Sequence, residues 1–215
     1  LTDFRDSTKK LKRSSYFENV VIEEKRIADD KMDIVVRVTE AATGSIMLGG
    51  GYGSYDKVMV SGSVSDKNIF GSGLSLGMSA DISANSSDFT LSLKNPAIND
   101  SNYNGEVEIH NSDVDIDRTY YDSTIATKGF SVSLGRQLVR DLYAGAKYKL
   151  DFVSEDYDYN DDFLESRDTT KEIYTDQDYV SSSITPYLNF DNTDDFYNPR
   201  EGVKAGTSLE YAGVG

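Results

Sequence analysis

The sequence predicts a mainly β protein whose strands are long enough to cross a bilayer as part of an antiparallel barrel, behind a small α/β segment. Three observations predict it. From Gly44 onward apolar and polar residues alternate, as in Leu74-Ser75-Leu76-Gly77-Met78-Ser79-Ala80-Asp81-Ile82. Most alternating runs reach about nine residues or more, where globular strands average about five or six and a bilayer crossing takes about nine to eleven. Fifteen Tyr and nine Phe stand against three Pro, and aromatic residues favour sheets.

Residues 3–15 read as a short helix, with Phe4, Thr8 and Leu11 near one face. Residues 19–27 and 32–39 read as a hairpin: Val20 and Ile22, then Ile34, Val36 and Val38, repeat every second position, and Ala28-Asp29-Asp30-Lys31 supplies a turn. A helix and one hairpin are too little to bury a core. Nine further strands follow, at 45–53, 57–66, 73–83, 88–95, 103–117, 127–137, 142–156, 178–192 and 202–213. In the seventh, Leu142, Ala144, Ala146, Tyr148, Leu150 and Phe152 share one face, and Tyr143, Gly145, Lys147, Lys149 and Asp151 the other. Barrels keep short turns on the periplasmic side and longer loops outside. The widest gap, 157–177, alternates with 54–56, 84–87 and 118–126 on the side expected to be extracellular.

Charge divides the chain near residue 41. Residues 1–40 hold nine Lys/Arg and nine Asp/Glu, which leaves thirteen of the 22 basic and twenty-eight of the 37 acidic residues for the rest. The net charge of −15 argues against nucleic acid as a partner, because phosphates would be repelled. The chain has no Cys, so disulfides, Cys-ligated metals and Cys nucleophiles are absent. Only 38% of residues are hydrophobic, no run of 18 apolar residues occurs and mean hydropathy is −0.50. These numbers exclude a transmembrane helix and leave a barrel open, since its lipid-facing residues are interleaved with polar ones. No Walker-type Gly-x-x-x-x-Gly-Lys segment is present, and no cofactor is expected.

Ala41-Ala42-Thr43-Gly44-Ser45-Ile46-Met47-Leu48-Gly49-Gly50-Gly51-Tyr52-Gly53 resembles the junction between a last polypeptide-transport-associated (POTRA) domain and the first barrel strand of BamA-type outer-membrane assembly factors. Ser14-Ser15-Tyr16-Phe17-Glu18-Asn19-Val20 resembles a helix end and strand of that domain, and Asp66-Lys67-Asn68-Ile69-Phe70-Gly71-Ser72-Gly73 the turn after the second barrel strand. Asn95-Pro96 and the Asp-rich turn Asp191-Asn192-Thr193-Asp194-Asp195-Phe196-Tyr197-Asn198-Pro199-Arg200-Glu201-Gly202 are also similar to the family pattern. Autotransporter-assembly and two-partner secretion proteins share parts of it.

The resemblance implies residues 1–41 as the end of a POTRA domain and 42–215 as the N-terminal part of a barrel, about nine strands of an expected sixteen. A partial chain that does not close by itself is therefore expected. It implies a bacterial outer-membrane location with the N-terminal segment in the periplasm. It implies a non-enzymatic role in folding and inserting other barrels. The partners would be unfolded outer-membrane proteins, accessory lipoproteins and outer-membrane lipid. A related secretion or autotransporter-assembly role is the alternative, and a passive porin or adhesin barrel a second one.

The candidate site is the first strand: Ser45, Ile46, Met47, Leu48, Gly49, Gly50, Gly51, Tyr52 and Gly53. Glycine weakens strand order, so a deliberately weak lateral gate is one reading; a bend or close packing at the wall is the other. An open edge offers backbone groups to an incoming strand. Residues 155–178 hold ten Asp/Glu and two Lys/Arg. Asp156, Asp158, Asp161 and Asp162 could collect calcium, yet they lack EF-hand spacing, and a solvated loop fits better. His110 is the only histidine. It shares a face with Ser112 while Asp113 points away, which favours a polar lumen residue over a catalytic triad. Tyr52, Tyr143, Tyr148, Tyr187 and Tyr211 are candidates for interfacial girdles or for sheet packing.

Overall fold

The computed structural model describes residue 11 and residues 16–28, 31–160, 174–193 and 200–213. The helix expected over 3–15, except Leu11, lies outside them, as do Asp29, Asp30, most of the acidic segment and the Asp194–Pro199 part of the Asp-rich turn.

β1 (Phe17–Ala28) and β2 (Lys31–Glu40) form an antiparallel hairpin that is a sheet of its own. Its register sets Val20 opposite Val38 and Ile22 opposite Val36, so the expected apolar positions share a face. Val20, 7% exposed, is the one buried hydrophobic residue among those described. The Ala41 N–H donates to the Tyr16 carbonyl at 2.9 Å, and the Tyr16 hydroxyl donates to the Gly73 carbonyl at 3.5 Å, tying the hairpin base to the second sheet.

The second sheet holds β3 (Gly44–Gly53), β4 (Lys57–Asp66), β5 (Ser75–Ile82), β6 (Ser86–Asn95), β7 (Tyr103–Asp117), β8 (Tyr121–Val139), β9 (Leu142–Tyr159), β10 (Gln177–Asp191), β11 (Lys204–Ser208) and β12 (Tyr211–Ala212). All neighbours are antiparallel and sequential from β3 to β11, with β12 also on β10. Apart from the short 3-10 turn Ile98–Asp100, which touches β7, no helix or other sheet is seen packed on either face among the described residues.

The strands depart from expectation chiefly in three places. β9 runs on to Tyr159, three residues into the expected 157–177 gap. β8 begins at Tyr121 rather than 127. Its first residues are polar on both faces, so alternation gives no signal there, yet they pair with Asp113–Asp117 and with Glu155–Tyr159. The last predicted strand is split into β11 and β12. Tyr187 pairs with Ser208 and Ile184 with Tyr211, which leaves Pro186 opposite the break. The Pro186 carbonyl accepts from the Leu209 N–H at 3.2 Å, but proline has no N–H to return.

Register sorts every strand into two faces. One carries Ile46, Leu48, Val60, Val64, Met78, Leu91, Leu93, Val107, Ile109, Phe130, Val132, Leu134, Leu150, Phe152, Ile184 and Leu188. The other carries Ser61, Ser63, Ser79, Thr90, Ser92, Glu106, Glu108, His110, Ser131, Ser133, Lys147, Lys149, Asp151, Ser183 and Thr185. The polar face is the enclosed one. Ser131 (2%), Ser183 (6%) and Asp151 (9%) are buried with no layer above them, whereas Ile109 and Leu134 are both 55% exposed. The sheet therefore curls towards its polar face and turns its apolar face outward. A water-soluble sandwich does the reverse; a membrane barrel does this.

The outward apolar run on β9, Leu142 to Phe152, rises about 25 Å for about 3.3 Å per residue and a tilt of about 40°, the height of a barrel's lipid-facing band. Above it, β7, β8 and β9 continue, at 15, 19 and 18 residues. There the outward face turns acidic: Asp113, Asp115, Asp117, Asp122, Asp156 and Asp158. On the inward side of this extension Tyr121 packs against Tyr157 and Tyr159, with ring centroids 5.7 and 5.5 Å away. Gln177, Tyr179 and Tyr157 donate hydrogen bonds to Glu155, which lies above the band and outside the membrane-spanning part; they hold its carboxyl below the usual carboxylate range.

Glycines let side chains bridge the inner wall. His110, Gly129 and Asp151 form one row across β7, β8 and β9. His110 Nε2 donates to Asp151 Oδ1 at 2.8 Å over Gly129. Lys149 reaches the other oxygen of Asp151 at 2.7 Å, and Lys147 Nζ donates to Glu108 at 3.5 Å. Six residues further down the ladder, the Tyr187 ring lies across Gly145 and reaches Gly135.

Two outcomes test these faces. Val132→Arg, at the middle of the outward band, lowers stability by about 2–4 kcal/mol while the inward Ser63→Lys is tolerated, read by denaturant unfolding in lipid vesicles. Gly129→Ala drives a methyl group into Asp151, His110 and the Leu150 carbonyl, and loses about 1–3 kcal/mol in the same measurement.

Candidate functional site

β3 is the edge of the second sheet. It pairs with β4 in an unbroken ladder from Gly44↔Asp66 to Gly53↔Lys57, and no described strand pairs with its other side. Ser45, Ile46, Met47, Leu48, Gly49, Gly50, Gly51 and Tyr52 are all exposed, with Gly53 half-buried. Ile46 (73%), Leu48 (85%) and Tyr52 (75%) point to the lipid-facing side. Ser45, Met47, Gly49, Gly51 and Gly53 point inward. A side-chain link to β4 is made by Ser45, whose Oγ lies 2.8 Å from Ser65 Oγ. The edge is thus held almost wholly by backbone hydrogen bonds.

Its glycines do different things. None has a positive φ, so no bend requires them. A Cβ at Gly49 would meet Ser61 Oγ at 2.5 Å, so close packing explains that position. Gly50 faces outward, where a Cβ would meet nothing nearer than the Met59 carbonyl at 3.6 Å. Gly51 has only the flexible Met59 Cε, at 3.3 Å. At Gly50 and Gly51 steric need does not explain glycine, and the loss of side-chain packing and strand order is what glycine contributes.

The other candidates are distributed rather than gathered. His110 is bonded to Asp151, Ser112 Oγ donates to Asp88 and Asp113 accepts from Asn111, so the three face different partners. Asp156 and Asp158 sit on the outward face of β9, Asp161 and Asp162 lie outside the described residues, and no group of three His, Cys, Asp or Glu side chains suited to a metal occurs among those described. Of the tyrosines, Tyr52, Tyr148 and Tyr211 face outward, while Tyr143 and Tyr187 face the inner wall. The Arg136–Tyr103 pair on the outward face, with the guanidinium 5.1 Å from the ring centroid, escaped sequence reasoning. Two residues 33 positions apart give no local signal.

Comparison with known proteins matches residues 68–215 to the Omp85 superfamily domain. The outer membrane protein assembly factor BamA of Nitratidesulfovibrio vulgaris is 29% identical over 213 residues, covering 97% of this chain and 25% of that protein. The protein of the same name from Neorickettsia risticii is 25% identical over 212 residues, covering 98% and 28%. The chain thus spans about a quarter of the length of these relatives. The crystal structure of BamA from Haemophilus ducreyi lacking POTRA domains 1–3 superposes with a TM-score of 0.63 at 21% identity, over 97% of this chain and 42% of that one. That likeness concerns the fold.

The packing around β3 yields one expectation. Gly49→Val forces Ser61 aside and loosens the β3–β4 ladder, whereas Gly50→Val, with outward room, leaves it intact; amide exchange of β4 separates the two.

Proposed function

The chain belongs to the Omp85 superfamily and is of the BamA type, and from that premise we propose that the protein assembles other β-barrels in the bacterial outer membrane. The observation that carries this reading is the make-up of β3: apolar on its outward face, glycine-rich, and linked to β4 by little beyond the backbone. A strand held so weakly can exchange its pairing for that of an incoming strand by β-augmentation. Clients are unfolded outer-membrane proteins. Each client strand that pairs satisfies groups that would cost several kcal/mol apiece in lipid, so client folding supplies the driving force and no catalytic chemistry is required.

In this reading residues 1–41 end a POTRA domain and 42–215 begin the barrel. The separate β1–β2 sheet and the linker at 41–43 support that division. The hairpin lies in the periplasm, on the side where β3 starts and opposite the acidic extension. Accessory lipoproteins engage the periplasmic part, and outer-membrane lipid surrounds the outward face. Gly50 and Gly51 keep β3 weak enough to release and re-pair, which makes Ser45 to Gly53 the lateral gate.

Depletion of the full-length protein in its host tests the activity: levels of other outer-membrane barrels fall, and unchanged levels would overturn the proposal. Complementation with Gly50→Val tests the gate. The variant folds normally and retains its thermal stability, because Val has room and a higher strand preference, yet restores barrel assembly several-fold less well than wild type. Full restoration would remove the gate from the proposal while leaving the activity standing.

A further inference from the structure

We infer that Arg136 and Tyr103 form a binding site for the phosphate of a phospholipid in the periplasmic leaflet, on the outward wall of β7 and β8. Arg136 lies on the outward face opposite Tyr103 of β7 and Ala144 of β9. From the Phe130 row down to the periplasmic turns, the outward residues of β6 to β10 include no other Arg, Lys, Asp or Glu. Arg136 is exposed and makes no ion pair among the described residues; it contacts the Tyr103 ring, 5.1 Å from guanidinium carbon to centroid.

A lone guanidinium on a lipid-facing wall is costly at the midplane and tolerable only near a headgroup plane. Arg136 sits at such a level. Lys128, the next outward cation on β8, is eight residues higher, about 20 Å along the membrane normal for a strand rise of about 3.3 Å and a tilt of about 40°. The two cations bracket the apolar rows Phe130, Val132 and Leu134. A guanidinium over a ring face can still offer its edge N–H groups, and an Arg fork meets a phosphate in two hydrogen bonds. The small Ala144 leaves space on the open side, and Leu134 and Leu138 offer a surface for an acyl chain. None of the paired outward residues around it is a carboxylate.

The inference rests on the outward face being lipid-facing, and the test separates the two. Full-length protein in neutral detergent is titrated with dioleoyl phosphatidylglycerol, with dioleoylglycerol, which lacks the phosphate, and with inorganic phosphate, and bound molecules are counted by native mass spectrometry. Wild type retains phosphatidylglycerol in preference to dioleoylglycerol, and excess inorganic phosphate does not displace it. R136Q weakens the tightest phosphatidylglycerol binding about tenfold, the scale of a lost charge-assisted hydrogen bond. R136K and Y103L fall between, since one loses the fork and the other the stacking surface. R118Q, at the opposite end of the strand pair, binds as wild type. Equal binding by R136Q and wild type overturns the site, as does equal retention of the two lipids or displacement by inorganic phosphate. If R136Q does not fold, wild-type binding by both R136K and Y103L overturns it. Failure to retain either lipid overturns the lipid-facing assignment itself.

Discussion

A hydrocarbon layer offers no substitute for a lost backbone hydrogen bond, and that constraint shapes everything else in this sheet. Each strand crossing the layer must pair along its whole length, which is why neighbouring strands are matched in long ladders. Once pairing is fixed, the pleat leaves side chains only two directions. Lipid claims one and the enclosed lumen the other. The polar wall is then the crowded one, since the sheet curls towards it, and crowding is relieved by glycine where a longer side chain must reach across a strand. Gly129 beneath the His110–Asp151 bond and Gly145 beneath Tyr187 are consequences of that curl, not of local turn geometry.

The same logic divides what the sequence makes legible from what it hides. Alternation over Leu74–Ile82 and Leu142–Phe152 announces strands and faces because lipid enforces a binary pattern there. Above the band water lies on both sides, the pattern lapses, and the first residues of β8 pass for a loop although they are fully paired. Glycine-rich β3 is readable as a strand from its position and neighbours, but which of its glycines are sterically required is not. That depends on Ser61 and Met59 across the ladder. The inner-wall bridges and the Arg136–Tyr103 stack are equally silent in one dimension, because they join residues through register rather than through spacing.

Across the sheet the inner wall changes character. β3 to β5 face the lumen with Ser, Gly and Met, and side-chain links between them are sparse; Ser45–Ser65 is one. β7 to β9 carry the His110, Asp151, Lys149, Glu108 and Lys147 contacts. Backbone pairing is continuous through both regions, so this difference in side-chain linkage is what distinguishes the edge. Under the proposed gate, β3 exchanges partners, and a strand that does so cannot be bolted to its neighbour by side chains that would all have to release together.

Pro186 introduces a different arrangement on β10. Its missing donor leaves the Leu209 carbonyl without a proline N–H to meet, and the ladder is interrupted between the Ser208 and Tyr211 pairs. A zipper with one tooth absent gives at that place. Bending of the wall therefore concentrates beside Pro186, where one bond of the local pair is never made.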